Sequence, residues 1–287
     1  MKTVLVTGAG GALGQAVVSR LRRESDVRVL TAGRGAQDVQ VDMANSPDFR
    51  RLIADLQPHW ILHLAATFSN EFDEAYAINV EATRQLLEAA LESAGSPRIL
   101  LVGSAAEYGA VRPDENPIRE EHALNPVSVY GLSKAWQSQL ALLYAGKGVD
   151  VVIARLFNLD GPALSDRLFV GRVQKQIEEL RAGTRSKIEV GPLSAVRDYI
   201  HADDAAELIL SIAALGRSGQ TYNVASGKPT TMREVLRSML AAGGLQDAEV
   251  RESAALSNRT GYDVPEIYAD MTSTHGLVQQ RNKIGAS

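Results

Sequence analysis

Two side chains with acid–base chemistry stand four residues apart in the segment from Tyr130 to Lys134, whose pattern predicts a helix. At this spacing both side chains lie on one helical face, so the phenol and the ammonium are expected to be neighbours. A free phenol has a pKa of about 10, and a nearby cation favours the phenolate, so Lys134 is expected to lower the pKa of Tyr130. Such a phenol can pass a proton to a carbonyl oxygen while a hydride arrives at the carbon.

A third candidate group is the hydroxyl of Ser104, which follows the apolar run 98–102, a predicted buried strand. In open parallel α/β sheets, ligands bind outside the carboxyl ends of the strands. Ser104 is therefore expected to hydrogen-bond a substrate carbonyl oxygen beside Tyr130 and to stabilise developing charge. The Tyr-x-x-x-Lys pattern alone also fits an exposed tyrosine lying on a lysine stem. The position of Ser104 favours the catalytic interpretation.

A glycine-rich turn separates the first predicted strand, residues 3–7, from a helix predicted to end near residue 23. Its residues Gly8, Gly11, Leu13 and Gly14 are predicted to bind a dinucleotide. Glycines let the backbone approach a pyrophosphate, and the helix N-terminus adds unpaired N–H groups and a positive dipole end. A strand–helix turn without a ligand is the alternative, but the place of this turn on the first βα unit favours the dinucleotide.

The identity of the nucleotide is predicted from the end of the second strand, residues 27–30. An NAD site usually places a carboxylate there for the ribose 2′-hydroxyl, whereas this chain carries Arg34. A guanidinium suits a 2′-phosphate, so NADP(H) is favoured and NAD(H) remains possible. Further along, Asp42 is expected at the adenine amine with Met43 beside it; the alternative is a solvated loop carboxylate.

Short apolar runs alternate with helical patterns over the first two-thirds of the chain. Strands are predicted at 3–7, 27–30, 60–66, 98–102 and 149–156, and helices at 47–56, 74–94 and 128–144. This alternation implies right-handed crossovers and a doubly wound parallel sheet, a Rossmann α/β fold. Residues 1–157 are predicted to form the dinucleotide-binding domain. Residues 158–287 are predicted to form mainly a smaller, interleaved substrate lobe, with helices at 169–181, 203–215 and 231–243; residues 251–287 are left unassigned.

Composition narrows the class of protein further. The chain has 287 residues, 45% of them hydrophobic, and 30 Lys+Arg against 34 Asp+Glu give a net charge of −4. The mild negative charge argues against a nucleic-acid partner. Zero cysteines exclude disulfides, thiolate nucleophiles and Cys-ligated metals. No apolar run approaches the ~20 residues that span a bilayer, and the N-terminus lacks a secretory pattern, so a cytoplasmic protein is expected.

Further motifs follow one another in a recognisable order over about residues 1–240. In addition to the glycine turn and Ser104/Tyr130/Lys134, they are the segments His63–Ala66, Asn79–Val80, Tyr108–Gly109, Arg155–Asn158, Gly161–Pro162, Arg197–Tyr199 and Tyr222–Val224. Together these segments resemble the extended short-chain dehydrogenase/reductase family, in its nucleotide-sugar epimerase, dehydratase and reductase group.

The resemblance implies a role for each matching position. A guanidinium fork at Arg197 suits a diphosphate, although an ion pair with Asp198 or Asp203 is the alternative. A side-chain amide such as that of Asn158 can both donate to and accept from a polar ligand. By resemblance, Ser104, Tyr130 and Lys134 are catalytic. Ala65, Ala66 and Asn79 lie along the cofactor, which Tyr130 and Lys134 also contact. Ser104 and Asn158 touch the sugar nucleotide, and Arg197 touches its diphosphate.

The type of reaction is predicted from the residues after Ser104. Similar 4,6-dehydratases carry an acidic residue directly after the catalytic Ser/Thr, whereas this chain has Ala105 and Ala106, with Glu107 one position later. The stretches GSAAEYG and RLFNLDGP most resemble GDP-6-deoxy-4-keto-mannose reductases. With Arg34, they favour an NADP(H)-dependent 4-ketoreductase acting on a nucleoside-diphosphate 4-keto-6-deoxysugar, with Tyr130 as general acid. An NAD-dependent nucleotide-sugar 4-epimerase is second, and a non-catalytic dinucleotide-binding sensor is third.

Quaternary structure and metal binding complete the predictions. His63 is expected to be a hydrogen-bonded core residue; because His59 and His63 belong to a strand and its approach, no metal site is predicted. In resembling proteins the helices at 74–94 and 128–144 pair into a four-helix dimer interface, so a homodimer is expected. The candidate contacts, with intramolecular burial as the alternative, are Ala77, Leu87, Leu91, Trp136, Leu140 and Leu143.

Overall fold

The computed structural model describes residues 1–44, 48–256 and 264–285. Its strands are β1 Lys2–Thr7, β2 Val27–Gly33, β3 Val39–Gln40, β4 Trp60–His63, β5 Arg98–Ser104, β6 Val151–Leu156, β7 Asn158–Asp160, β8 Ile188–Val190, β9 Val196–His201, β10 Thr221–Val224, β11 Pro229–Thr231, β12 Val250–Glu252 and β13 Glu266–Ile267. Its helices are α1 Ala12–Leu21, α2 Phe49–Leu56, α3 Phe72–Ala75, α4 Ala82–Glu92, α5 Val129–Ala145, α6 Phe169–Arg181, α7 Ala202–Leu215, α8 Met232–Ala242 and α9 Thr272–Gly285.

Seven parallel strands form the central sheet in the order β3-β2-β1-β4-β5-β6-β10. The strand order reverses between β1 and β4, and the crevice outside the carboxyl ends at such a switch point is where open α/β sheets bind ligands. The predicted Rossmann α/β fold is confirmed. The glycine turn follows β1, and Ser104 ends β5, so both lie at the same edge of the sheet.

Apolar side chains on the two faces of the sheet build two separate cores. Along β1, Val4 and Val6 pack on one face with the helices α1 and α7, whereas Leu5 packs on the other with α2, α4 and α5. Successive strand side chains point to opposite faces, so a strand covered on both sides is apolar throughout. This double burial explains the continuous run Val4–Val6, whose side chains have no solvent exposure.

The chain after β6 alternates between a smaller lobe and the central sheet. In the lobe, α6 and α8 pack with β8 around an apolar cluster that includes Val173, Ile188 and Leu236. Strand β9 pairs with β7, β11 and β13. Strand β10 adds to the central sheet beside β6, and α7 packs against α1 on the face of that sheet. Segments before and after residue 158 therefore interleave.

Several predicted boundaries differ from the observed elements. The strand predicted at 60–66 ends at His63, because the N–H of Ala65 donates to the Thr7 side chain at 3.3 Å and not to a backbone carbonyl of a neighbouring strand. The helix predicted at 74–94 begins two residues earlier, contains a π-helical turn at Tyr76–Glu81, and ends at Glu92. These differences leave residues 64–71 as a loop at the carboxyl edge of the sheet.

Two other predicted segments touch residues outside the described ranges. For the helix predicted at 47–56, Pro47 lies outside the described residues; α2 begins at Phe49, with the Asp48 carboxylate accepting the Arg51 N–H at 3.0 Å. The unassigned segment 251–287 contributes β12, β13 and α9, while 257–263 and 286–287 lie outside the description. Among the residues that the structure describes, no helix combines the length and apolarity needed to cross a membrane.

Candidate active site

A cleft of about 1490 Å³ opens at the carboxyl edge of the sheet and extends to the lobe. It gathers nearly all the residues that the sequence analysis singled out, although they are spread over almost two hundred positions. The predicted residues that line it are Gly8, Gly11, Leu13, Gly14, Arg34, Asp42, Met43, Ala65, Ala66, Ser104, Tyr130, Lys134, Asn158 and Arg197.

Two glycines of the turn, Gly8 and Gly14, leave no room for a side chain. Gly8 has a φ of +72°, and a Cβ on it would lie 2.6 Å from the N atom of Ala65. A Cβ on Gly14 would overlap the carbonyl oxygen of Gly8. Gly11 is the N-cap of α1 and has no side chain to accept the first N–H groups of the helix. The turn therefore presents N–H groups and a positive dipole end to the cleft, a geometry that suits a pyrophosphate.

The loop after β2 gives the cleft a cation. Arg34 is exposed and lines the cleft. Asp38, which the sequence analysis did not consider, turns back to β2, where its carboxylate accepts 2.8 Å hydrogen bonds from the N–H and hydroxyl of Thr31. Those bonds hold the pKa of Asp38 below its usual value. The Asp38 carboxylate is thus hydrogen-bonded to β2 outside the cleft, while the Arg34 guanidinium lies at the cleft.

Ser104 is fixed where β5 passes into a short 3₁₀ turn, Ala105–Glu107. Its hydroxyl accepts the Ala106 N–H at 3.2 Å, and its own N–H donates to the Glu107 carboxylate at 2.7 Å. The sequence left open whether Glu107 reaches the cleft. The structure places this side chain in the interior with no solvent exposure, in an ion pair with Arg155.

Tyr130 lies in the first turn of α5, which the hydroxyl of Ser128 caps by accepting the Gly131 N–H at 3.0 Å. The Tyr130 N–H donates to the side-chain oxygen of Asn70 at 3.3 Å. Its ring contacts the ring of Phe68, with centroids 5.3 Å apart. The loop 64–71 therefore holds the start of α5 from two sides and aims the phenol at the cleft.

The predicted lowering of the Tyr130 pKa by Lys134 is wrong. Burial raises the pKa of Tyr130 to about 12, opposed by a hydrogen bond from Ser104 and reinforced by the charge of Glu107. The Lys134 ammonium is buried and donates to the Val102 carbonyl at 2.6 Å and to Gln137. Burial also lowers the pKa of Lys134 itself to about 8, against the charge of Glu107. The phenol is therefore protonated near neutral pH, which is the state that donates a proton.

Two predicted polar residues lie behind the cleft wall. Asn79 is fully buried: its oxygen accepts the Thr67 N–H at 2.9 Å, and its NH₂ donates to the Thr67 carbonyl and the Ser133 hydroxyl. Asn79 thus braces the loop and α5 and does not line the cleft as expected. His63 is confirmed as a buried, hydrogen-bonded core residue, 2.9 Å from the Thr7 hydroxyl, and burial lowers its pKa to about 3.

The lobe end of the cleft is polar. The Asn158 side chain in β7 donates to the Asp198 carbonyl at 3.1 Å, and Arg197 in β9 lines the cleft beside Tyr199. The Asp198 carboxylate accepts hydrogen bonds from the Ser226 hydroxyl and from three backbone N–H groups. The alternative role of Asp198, as the ion-pair partner of Arg197, is therefore not what satisfies this carboxylate. Arg167, which sequence reasoning missed because no motif marks it, is exposed and lines the same end.

The candidate dimer contacts divide into two sets. Leu91, Trp136 and Leu143 are exposed at 43%, 38% and 55%. Leu87 is fully buried against the sheet, so its predicted role in an interface is wrong. Ala77 and Leu140 are half-buried. As for metals, residues 1–44, 48–256 and 264–285 contain no group of three or more His, Asp or Glu that could hold an ion.

A Rossmann sheet with a glycine turn at its switch point and an acid–base pair across the cleft defines a dinucleotide-dependent enzyme. The NAD dependent epimerase/dehydratase family matches residues 4–225, and the chain belongs to that family. It is thus an NAD(P)-dependent enzyme of the extended short-chain dehydrogenase/reductase type. The predicted family resemblance is confirmed.

Two curated relatives carry different activities. GDP-6-deoxy-D-mannose reductase of Pseudomonas aeruginosa is 31% identical over 161 residues, 55% of this chain and 53% of the reductase. UDP-glucose 4-epimerase of Mycolicibacterium smegmatis is 30% identical over 267 residues, 85% of this chain and 83% of the epimerase. The alignment with the reductase therefore spans about half of either protein, while that with the epimerase spans most of both.

Solved structures show the same fold. RMD from Pseudomonas aeruginosa complexed with NADPH aligns with a TM-score of 0.83 at 23% identity, covering 97% of this chain and 93% of that one. MoeE5 in complex with UDP-glucuronic acid and NAD aligns with a TM-score of 0.81 at 25% identity, covering 96% and 92%. The fold is thus shared by proteins solved with either dinucleotide.

Proposed function

We propose that the protein reduces the 4-keto group of a nucleoside-diphosphate 4-keto-6-deoxysugar with NADPH. One observation carries the proposal: a single cleft joins Arg34 and the glycine turn at one end, Ser104 and a protonated Tyr130 at its centre, and polar lobe residues at the other. This order fits a dinucleotide, a reacting ketone and a second nucleotide in sequence. The partial alignment with the GDP-6-deoxy-D-mannose reductase supports it.

The residues present fit the dinucleotide. A Cβ on Gly8 or Gly14 would collide with the backbone of Ala65 or of the turn itself, so glycines let this turn pack closely, and the N-terminus of α1 offers N–H groups that suit a pyrophosphate. Arg34 lines the cleft and would hold a 2′-phosphate, which favours NADP(H) over NAD(H). Asp42 and Met43 line the same cleft and would hold the adenine. The nicotinamide, when bound, would supply a hydride to the carbonyl carbon.

The chain's own groups handle the oxygen and the proton. Ser104 donates a hydrogen bond to the carbonyl oxygen, and Tyr130 gives it the phenolic proton, so the ketone gains a hydride and a proton and becomes an alcohol. The resulting phenolate regains a proton from water. At the lobe end, Asn158 and Arg197 hold the sugar nucleotide by an amide and a guanidinium.

A nucleotide-sugar 4-epimerase is the second candidate, favoured by the UDP-glucose 4-epimerase that aligns over 85% of this chain. Both reactions use the same hydride and proton apparatus, but the epimerase returns the hydride to the sugar. The guanidinium of Arg34 favours the reductase, because an exchanging NADPH gives net reduction. Family membership argues against the third prediction, a sensor without catalysis.

The dimer is likewise part of the proposal. Phe72, Tyr76 and Trp136 form an exposed aromatic group on α3, the π-helical turn and α5, with ring centroids 6.1–6.4 Å apart. Leu91 on α4 and Leu143 on α5 are exposed as well. Exposed apolar side chains grouped on neighbouring helices are typical of protein–protein contacts, here proposed with a second copy. A cytoplasmic location remains a prediction of the sequence.

The decisive experiment follows NADPH oxidation with GDP-, dTDP- and UDP-linked 4-keto-6-deoxysugars, alongside redox-neutral assays with UDP-hexoses. Net NADPH oxidation with one of the ketones is expected. Tyr130→Phe should reduce kcat by about 10²–10⁴-fold while NADPH affinity is kept. Tyr144→Phe is the matched control, since Tyr144 lies on the same helix and bonds Glu88 at 3.1 Å, away from the cleft. Epimer interconversion without NADPH oxidation would instead establish the epimerase.

A further inference from the structure

A buried ion pair lies directly behind the catalytic serine. Glu107 and Arg155 approach to 3.0 Å, with side-chain exposures of 0% and 4%. Removing two charges from water costs several kcal/mol per ion, and apolar side chains of similar volume often serve stability as well or better. Stability alone therefore does not explain why a buried ion pair occupies this position, and we expect a function for it.

The two oxygen atoms of the Glu107 carboxylate have separate partners. Oε1 accepts the N–H of Ser104 at 2.7 Å, and Oε2 accepts from the Arg155 guanidinium. The carboxylate fits because residue 103 is glycine: a Cβ on Gly103 would lie 2.5 Å from Oε1. Three groups therefore fit together behind the serine: Gly103, the Glu107 carboxylate and the Arg155 guanidinium.

Further contacts prevent the guanidinium from moving. Arg155 lies over the ring of Tyr108, 4.6 Å from its centroid, and donates to the Glu120 carbonyl at 3.3 Å. The Tyr108 hydroxyl donates to the side-chain oxygen of Asn223 at 2.7 Å. Because β6, β10 and the loop before α5 all hold this group, the position of Glu107 is set by the whole sheet edge.

We propose that Glu107, held by Arg155, is a positioning residue that fixes the backbone of Ser104 and keeps a negative charge behind the Ser104–Tyr130 pair. This inference rests on the proposed ketone reduction. It separates into two effects: a hydrogen bond that places the serine, and a charge that acts on the proton-transfer groups. Glu107 itself touches neither substrate nor cofactor.

The charge has a predictable sign. The Glu107 charge raises the pKa of Tyr130, in the same direction as the larger effect of burial. It also raises the pKa of Lys134, there against the larger effect of burial. Removing it should lower both values, so the enzyme should lose its proton-donating form at a lower pH. The groups that face Glu107 from the elements around it are Ser104 and Tyr108 on its own segment, Arg155 on β6, Glu120 in the following loop, and Tyr130 and Lys134 on α5.

The test separates position from charge. Glu107→Gln keeps an oxygen for the Ser104 N–H but removes the charge, so the alkaline limb of kcat/KM for NADPH should move to lower pH. Glu107→Leu also removes the acceptor and should lower kcat by a further ~10-fold or more, with NADPH affinity kept. Glu92→Gln is the matched control, because Glu92 pairs with Arg50 at 2.6 Å on the exposed surface.

Two more measurements protect the inference from a folding artefact. Arg155→Lys retains a cation and the Glu107 charge, so it should lower kcat without moving the alkaline limb. In a Ser104→Ala background, Glu107→Leu should cost little more, because both changes act through one group. A Glu107→Gln enzyme with the pH profile of Glu92→Gln, or multiplicative losses in the double variant, overturns the inference. Wild-type protein that reduces no ketone would instead defeat the proposed function.

Discussion

Gly131, in the first turn of α5, lies against the carbonyl oxygen of Ala106, so closely that a Cβ on the glycine would lie 2.6 Å from that oxygen. Ala106 belongs to the turn after Ser104, and Gly131 follows Tyr130. The missing side chain lets the helix approach the strand end until the phenol and the serine hydroxyl share a cleft. The distance between two candidate catalytic groups is thus set by a glycine that has no functional side chain.

Gly131→Ala is expected to separate these groups. Alanine favours a helix by up to about 1 kcal/mol over glycine, yet the new methyl must push α5 away from a backbone oxygen. Displacement of reacting groups by about 1 Å can cost ~10²-fold, so kcat should fall by roughly 10-fold or more. Gly146→Ala, at the other end of α5, is the control, because a Cβ there would lie an ordinary 3.4 Å from its nearest neighbour, the Leu143 carbonyl oxygen. Equal kcat in the two variants would contradict the argument.

The lysine gives a pH prediction. Burial lowers the pKa of Lys134 to about 8, so the free enzyme loses its ammonium as pH rises through that value. The value of kcat/KM for NADPH should fall above about pH 8, because this parameter reports the ionisation of the free enzyme. Lys134→Arg keeps its charge at all accessible pH values and should remove that limb. The control variant Lys147→Arg, at an exposed position, should retain the fall in kcat/KM above about pH 8. If Lys134→Arg also retains that fall, the fall has another origin.

The cofactor preference depends on one guanidinium. A hydrogen bond to a charged partner contributes about 1.5–3 kcal/mol, so Arg34→Ala should weaken NADPH binding by roughly 10- to 150-fold and leave NADH binding nearly unchanged. Dinucleotide fluorescence titration measures both constants. Arg23→Ala, an exposed arginine outside the cleft, controls for the change in net charge. An equal loss for both dinucleotides would show that Arg34 does not read the 2′-phosphate.

The apolar surface on α3–α5 predicts the oligomeric state. Leu143 is 55% exposed, and an aspartate there would place a charge within the proposed dimer contact. Sedimentation at micromolar concentration should show a dimer for the wild-type protein and a monomer for Leu143→Asp. Val250→Asp, on the exposed strand β12 of the lobe, should remain dimeric. Monomeric wild-type protein would contradict the dimer.

The sequence revealed features whose spacing is local. The alternation of strands and helices predicted the sheet, and the glycine turn with Ser104, Tyr130 and Lys134 predicted residues that the fold brings to one cleft. Each of these signals depends on a repeat of two, three or four residues, or on glycine at a turn. Short-range geometry of this kind is set by the backbone alone.

Features that depend on distant partners could not be read from the sequence. Glu107 and Arg155 are 48 positions apart, and nothing local marks them as a pair. The Lys134 pKa follows from burial and from the charge of Glu107, both of which only the packed structure defines. Asn79 belongs to a family motif, yet its side chain serves the loop and not the cleft wall.

Strand β10 pairs with β6 although β7, α6, β8, β9 and α7 lie between them in the chain. On the ribosome, the outer side of β6 therefore stays unpaired until β10 has been synthesised. An unpaired strand edge is a template for pairing with other chains, so nascent protein is most prone to aggregate during this interval. Chaperone demand and co-translational misfolding should accordingly concentrate on the period before Val224 emerges.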